Sequence, residues 1–93
     1  MDKRNNLVRV MITGNKSGQS AIDEFTEIYR EAFDVMKTDF SNFEEALEAA
    51  AEMNMTHMLY FKDNTNLILA SLADEMGGYS LDITVDDLRR VLS

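Results

Sequence analysis

Carboxylates are the groups in this chain best placed to act on another molecule, and their spacing is regular. Glu24, Glu27, Glu31 and Asp34 recur at intervals of 3, 4 and 3, and Glu44, Glu48 and Glu52 at 4 and 4. On a helix such intervals stack side chains along one side, about 5–6 Å apart. Asp23 and Glu45 extend the two rows. Paired carboxylates also serve as general acids and bases, but that work needs an apolar wall to raise a pKa. These acids fall instead on the polar sides of amphipathic segments.

Other combinations point to no reaction. Gly14-Asn15-Lys16-Ser17-Gly18 lies between a predicted strand and a predicted helix, where phosphate-binding loops occur. A P-loop needs four residues between its first glycine and the Gly-Lys-Ser/Thr triplet, and that long loop is missing here. Asp63, Thr65 and Asn66 resemble a calcium loop only at its start, since no central glycine or distal glutamate follows. His57 is the single histidine and cysteine is absent, so sequence supplies neither a transition-metal ligand set nor a nucleophile with its base. The reading is of a chain with no catalytic residues, no metal site and no cofactor.

The net charge of −8 is localised. Residues 23–52 contain ten acids, including Asp39, and two bases, Arg30 and Lys37; the other residues hold seven acids and seven bases. Direct binding of nucleic acid or an anionic membrane is disfavoured by such a balance. No apolar run is long enough for a membrane span and the polar start leads into no signal-peptide core, so a cytoplasmic protein is expected.

These residues must be carried by a small framework. Ninety-three residues suit a single domain, 1–93. Leu7 to Thr13 alternates with β-branched residues and predicts a strand. Ser20 reads as the N-cap of a helix from Ala21 to about Lys37, with Ile22, Phe25, Ile28, Tyr29, Ala32, Phe33, Val35 and Met36 on its apolar side. Ser41 and Glu44 form a capping box for a second helix to about Asn54, with Phe43, Ala46, Leu47 and Ala50 facing inward. Met55 to Lys62 predicts a strand. Leu67 to Met76 is compatible with a helix or a strand; the Asp63-Asn64-Thr65-Asn66 turn favours a hairpin over 66–72. Tyr79 to Ile83 reads as a short extended stretch. Thr84 then caps a last helix, with Val85, Leu88, Val91 and Leu92 inward. Methionines such as Met53, Met55, Met58 and Met76 read as core filling. The fold class is α+β, a small mostly antiparallel sheet packed against helices in the approximate order β-α-α-β-β-α.

The acidic rows on two consecutive helices then suggest a function. A solvated face tuned for solubility is the plain alternative. Against it stands the missing basic complement, since like charges at i,i+4 destabilise a helix slightly. In size, acidity, lack of cysteine and its 23–52 ridge, the chain resembles small phage-encoded host-takeover proteins that mimic DNA. That resemblance implies a non-enzymatic inhibitor of a basic nucleic-acid-binding protein, acting in the cytoplasm of a bacterial host. Asp23, Glu24, Glu27, Glu31, Asp34, Glu44, Glu45, Glu48 and Glu52 are the expected partner-binding residues. A homodimer is plausible from the apolar content. The competing reading is a structural or adaptor module whose acids only confer solubility.

Overall fold

The computed structural model describes residues 8–72 and 79–92. Its elements follow the order β1 (Arg9–Gly14), a 3-10 turn (Lys16–Gly18), α1 (Gln19–Arg30), β2 (Asp34–Lys37), α2 (Phe43–Glu52), β3 (His57–Phe61), β4 (Asn66–Ser71), β5 (Tyr79–Thr84) and α3 (Val85–Leu92). The five strands form one sheet in the order β2-β1-β3-β4-β5. β1 pairs in parallel with β2 and with β3, whereas β3–β4 and β4–β5 are antiparallel. The α+β class holds. The sheet, however, is mixed rather than mostly antiparallel, and the element order is β-α-β-α-β-β-β-α.

The correction comes from β2. The helical pattern predicted through Lys37 stops at Arg30, where the Tyr29 carbonyl accepts from the amides of both Ala32 (3.0 Å) and Phe33 (2.9 Å). Asp34 to Lys37 then forms a four-residue edge strand with only Val35 half-buried. Asp34 therefore belongs to a strand and not to the α1 row.

Two β-α-β crossovers follow from that strand. α1 carries the chain from β1 to its neighbour β2, and α2 carries it back across β1 to β3. Crossovers of one hand that run in opposite directions along a sheet lie on opposite faces. Burial shows this separation. Val10, Ile12, Leu59, Phe61 and Leu67 pack against Ala21, Ile22 and Phe25 of α1 and against Val85 and Leu88 of α3. Their strand neighbours Met11, Met58, Tyr60 and Ala70 point the other way and pack against Ala46 and Ala50 of α2. The α1 side is aromatic, with Phe25 stacked on Phe61 at 5.7 Å and Tyr29 bridging Phe25 and Phe33. The α2 side is built mainly of alanine and methionine around Tyr60. Met55 and Met58 fill that core as expected, Met53 packs against it half-buried, Met11 joins it, and Met76 lies outside the described residues.

Local signals explain the remaining boundaries. Ser20 is not the α1 cap; Gly18 holds that position, and Asn64 Oδ1 accepts from the Ala21 amide across the β3–β4 turn. Asn42, not Ser41, caps α2 by accepting from the Glu45 amide at 3.1 Å. α2 ends in a Schellman arrangement: Met55 N donates to Ala50 O and Asn54 N to Ala51 O, with Asn54 at φ 59°. Residues 66–71 form a strand, so the hairpin alternative holds there; the 73–76 part of that reading lies outside the described residues. The Thr84 capping box forms, with Asp87 N donating to Thr84 Oγ1 at 3.1 Å. Val91 does not face inward; it is 80% exposed.

Gly14 lets the sheet and its first loop meet. At φ +151° a side chain there would bring its Cβ to 2.2 Å from the Phe61 carbonyl oxygen. No helix among the described residues is long and apolar enough to cross a membrane.

Candidate functional site

The nine acids predicted as one binding set occupy three different environments. Three α1 acids are used internally. Asp23 Oδ1 accepts from Lys37 Nζ on β2 at 2.5 Å and from Gln19 Nε2 at 3.0 Å. The Lys37 bond, with help from Gln19, holds the Asp23 carboxyl below its ordinary value. Glu24 meets Arg89 of α3 through two parallel bonds, Nε to Oε2 at 2.9 Å and a terminal guanidinium nitrogen to Oε1 at 2.7 Å. That fork lowers the Glu24 pKa and raises that of Arg89, whose guanidinium also lies 5.9 Å from the Phe25 ring centre. Glu27 pairs with Arg30 one turn on, at 3.0 Å. Asp34, on the edge strand, pairs with Arg9 at 3.3 Å.

α2 differs. Glu44, Glu45, Glu48 and Glu52 are all exposed, and among the described residues none of them takes part in an ion pair or side-chain hydrogen bond. The same is true of Asp39 and Glu31. Glu44, Glu48 and Glu52 stand one turn apart on a helix whose N-terminal positions suit acids but whose last turn carries no base. Since the helices occupy opposite faces of the sheet, the α1 and α2 rows do not merge into one surface.

Beside this row lies a groove of about 610 Å³ on the α2 face. Its walls combine Phe43, Leu47 and Ala51 of α2, Met55 after the helix, Ala70 of β4 and Leu72 just beyond it with the polar Asn54, Thr56, Ser71 and Ser80. Sequence reasoning missed it. The hollow exists because small residues, Ala70 in the sheet and Ala51 on the helix, stand where larger ones would close it, and neither is recognisable as such before the layers are known.

The remaining sequence candidates resolve as structure. The 14–18 loop is tied down by its own contacts: Asn15 N donates to Phe61 O at 2.9 Å, Ser17 Oγ to Lys62 O at 2.9 Å, and Tyr60 OH to Asn15 Oδ1 at 3.0 Å. Asp63 Oδ1 accepts from the amides of Thr65 (2.7 Å) and Asn66 (2.8 Å), which lower its pKa and close the hairpin turn. His57 is half-buried at a second, apolar cavity of about 350 Å³ with Val10, Tyr29, Phe33, Leu59 and Leu69. Burial holds its pKa below the ordinary 6.5, and Thr56 Oγ1 lies 2.9 Å from its Nδ1. Among the described residues, no group of three or more side chains of metal-binding type converges.

No protein-family model and no curated protein matches this sequence. Solved structures share its fold. It is similar to the RNA-binding domain of threonyl-tRNA synthetase from Cryptosporidium parvum Iowa II, with a TM-score of 0.66 and 13% identity over 92% of this chain and 23% of that one. It is also similar to apo histidyl-tRNA synthetase of S. aureus, with a TM-score of 0.59 and 14% identity over 100% of this chain and 28% of that one. The chain thus spans about a quarter of the length of either of those chains. At such identities the likeness is one of fold.

Proposed function

We propose that this chain is a non-enzymatic binding protein whose α2 ridge docks on a basic, nucleic-acid-binding surface of another protein and competes there with nucleic acid. One observation carries the reading: Glu44, Glu48 and Glu52, with Glu45 beside them, form an exposed helical row without an ion pair among the described residues. The contrast with α1 sharpens the site, because Asp23, Glu24 and Glu27 already have cations of their own. α2 is the docking helix, and the α1 acids and Asp34 serve the fold. The setting proposed is the bacterial cytoplasm, in a host-takeover role.

RNA binding, named for the threonyl-tRNA synthetase domain, fits this chain less well. A net charge of −8 repels a phosphate backbone, and affinity for nucleic acid comes largely from the cations that neutralise it.

The test is displacement of a labelled DNA duplex from a basic bacterial nucleoid protein. Reversing Glu44, Glu48 and Glu52 to lysine raises the concentration needed for half-displacement about a hundredfold, at about 1 kcal/mol per lost or repelling pair. Reversing Glu27 and Glu31 changes it less than about threefold. Equal losses from both helices would sink the assignment to α2.

A second reading, an adaptor or homodimer using apolar contacts, is favoured by Tyr79 and Leu81 on the edge strand β5, which are 54% and 51% exposed. It requires association that is indifferent to salt between about 50 and about 300 mM, whereas the ridge weakens under screening.

A further inference from the structure

We propose that the groove beside α2 receives an amphipathic, basic helical segment of the partner protein. Its apolar side chains enter the groove, and its lysines or arginines meet Glu44, Glu48 and Glu52. This rests on α2 being the docking helix and gives the partner its chemistry.

Helical geometry ties the groove to the ridge. Each residue turns an α-helix by about 100°, so the row 44–48–52 lies immediately beside the row 43–47–51. Ala46 and Ala50, fully buried, fix the side of α2 that faces the sheet. From there toward solvent come Phe43, Leu47 and Ala51, which line the groove, and next the three glutamates. Glu44 therefore borders the groove next to Ala51, and Glu48 and Glu52 stand further round the helix toward solvent. Phe43 is held in place by an edge-to-face contact with Tyr60 at 5.7 Å, so this wall is preformed.

Charge complementarity selects the occupant. A nucleic acid is repelled by these carboxylates, and a neutral apolar segment would leave three clustered carboxylates beside a dry contact, at a desolvation cost. A basic amphipathic helix satisfies both features. Its i, i+3, i+4 and i+7 apolar positions suit a groove, and cations one turn apart match acids one turn apart. The volume, about 610 Å³, is adequate for more than one large apolar side chain.

The experiment is calorimetric titration of the full chain with an amidated 14-residue Leu/Lys peptide patterned as such a helix. A control peptide has every leucine replaced by serine and all its charge retained. The expected result is that the control binds at least about tenfold more weakly. Ala51→Gln alters an exposed groove residue without altering charge and is expected to cost about tenfold; the triple variant Glu44→Gln, Glu48→Gln, Glu52→Gln is expected to cost about as much and to flatten the salt dependence. Amide shifts in a heteronuclear spectrum fall largest on Leu47, Ala51 and Leu72, and thermal melts show that both variants fold. Equal binding of the serine peptide, or indifference to Ala51→Gln, overturns the groove while leaving the ridge standing. Undiminished binding by the triple variant overturns the ridge, and the basic partner with it. Preference for a small apolar dye over the peptide assigns the groove to another occupant and also overturns the proposal.

Discussion

The two acidic helices look alike in sequence and do different work. α1 spends its carboxylates on holding the molecule together: Asp23 reaches β2 through Lys37, and Glu24 reaches α3 through Arg89. α2 carries as dense a row and none of it is spent in this way among the described residues. The cores beneath them differ in parallel. Under α1 and α3 the sheet is packed with contacting aromatic rings, and an apolar cavity lies beside Tyr29 and Phe33. Under α2 it is packed with alanine, methionine and Tyr60, and a groove stays open beside the helix. A face whose acids carry cations of their own is structural, whereas one whose acids are left without them is available to a partner. Patterns of acids alone do not separate the two; the location of the matching cations does.

The largest expected effect tests the packing half of this contrast. Phe25→Ala removes a fully buried ring stacked on Phe61 and is expected to cost about 3–5 kcal/mol in a urea unfolding titration. Met58→Leu, at an equally buried position on the α2 face, should cost less than about 1.5 kcal/mol. Similar costs would mean that the two cores are equally specified. A smaller effect tests the charge half. Arg89→Gln breaks the fork to Glu24 and the pair to Asp86, so the melting temperature falls, and by less at high salt. Glu48→Gln removes like-charge neighbours one turn away on either side and leaves the melting temperature unchanged or raised, by about 0.2–0.5 kcal/mol of helix stability. A clear loss on neutralising Glu48 would show that α2 also has a structural use for its acids.

Much of this arrangement could be read from residue order, and the part that could not has one origin. Alternation exposed β1, the Asn-rich turn exposed the β3–β4 hairpin, and Thr84 with Asp87 marked the start of α3. β2 was hidden because Val35 and Met36 prolong the apolar arc of α1, and neither glycine nor proline marks the stop at Arg30. Missing those four residues removed a parallel strand, made the sheet look antiparallel, and set two helices side by side that in fact lie on opposite faces. The acid positions were legible, but their partners Lys37 and Arg89 were not, since both pairs join different elements across the fold. The groove depends on Ala70 lying beneath a helix that itself presents Ala51, a match visible only once the layers are assembled.

The smallest effect concerns His57, which stands on the α1 face beside the apolar cavity that Tyr29 and Phe33 line. Burial disfavours its charged form, so its folded pKa lies below the ordinary 6.5 of the unfolded chain. Above about pH 6.5 the imidazole is neutral in both states and contributes no pH dependence. Below that value the unfolded chain takes up the proton first, so stability declines until the pH has passed below the folded pKa. Asp23, Glu24 and Asp63 carry the opposite kind of dependence, with lowered pKa values, and begin to lose their contribution only as pH approaches their ordinary 3.8 to 4.5. The interval between about pH 6.5 and about pH 5 therefore reports on His57. Urea midpoints of the natural sequence should fall across it, while those of His57→Gln stay level. An equal slope in both proteins would place the proton elsewhere.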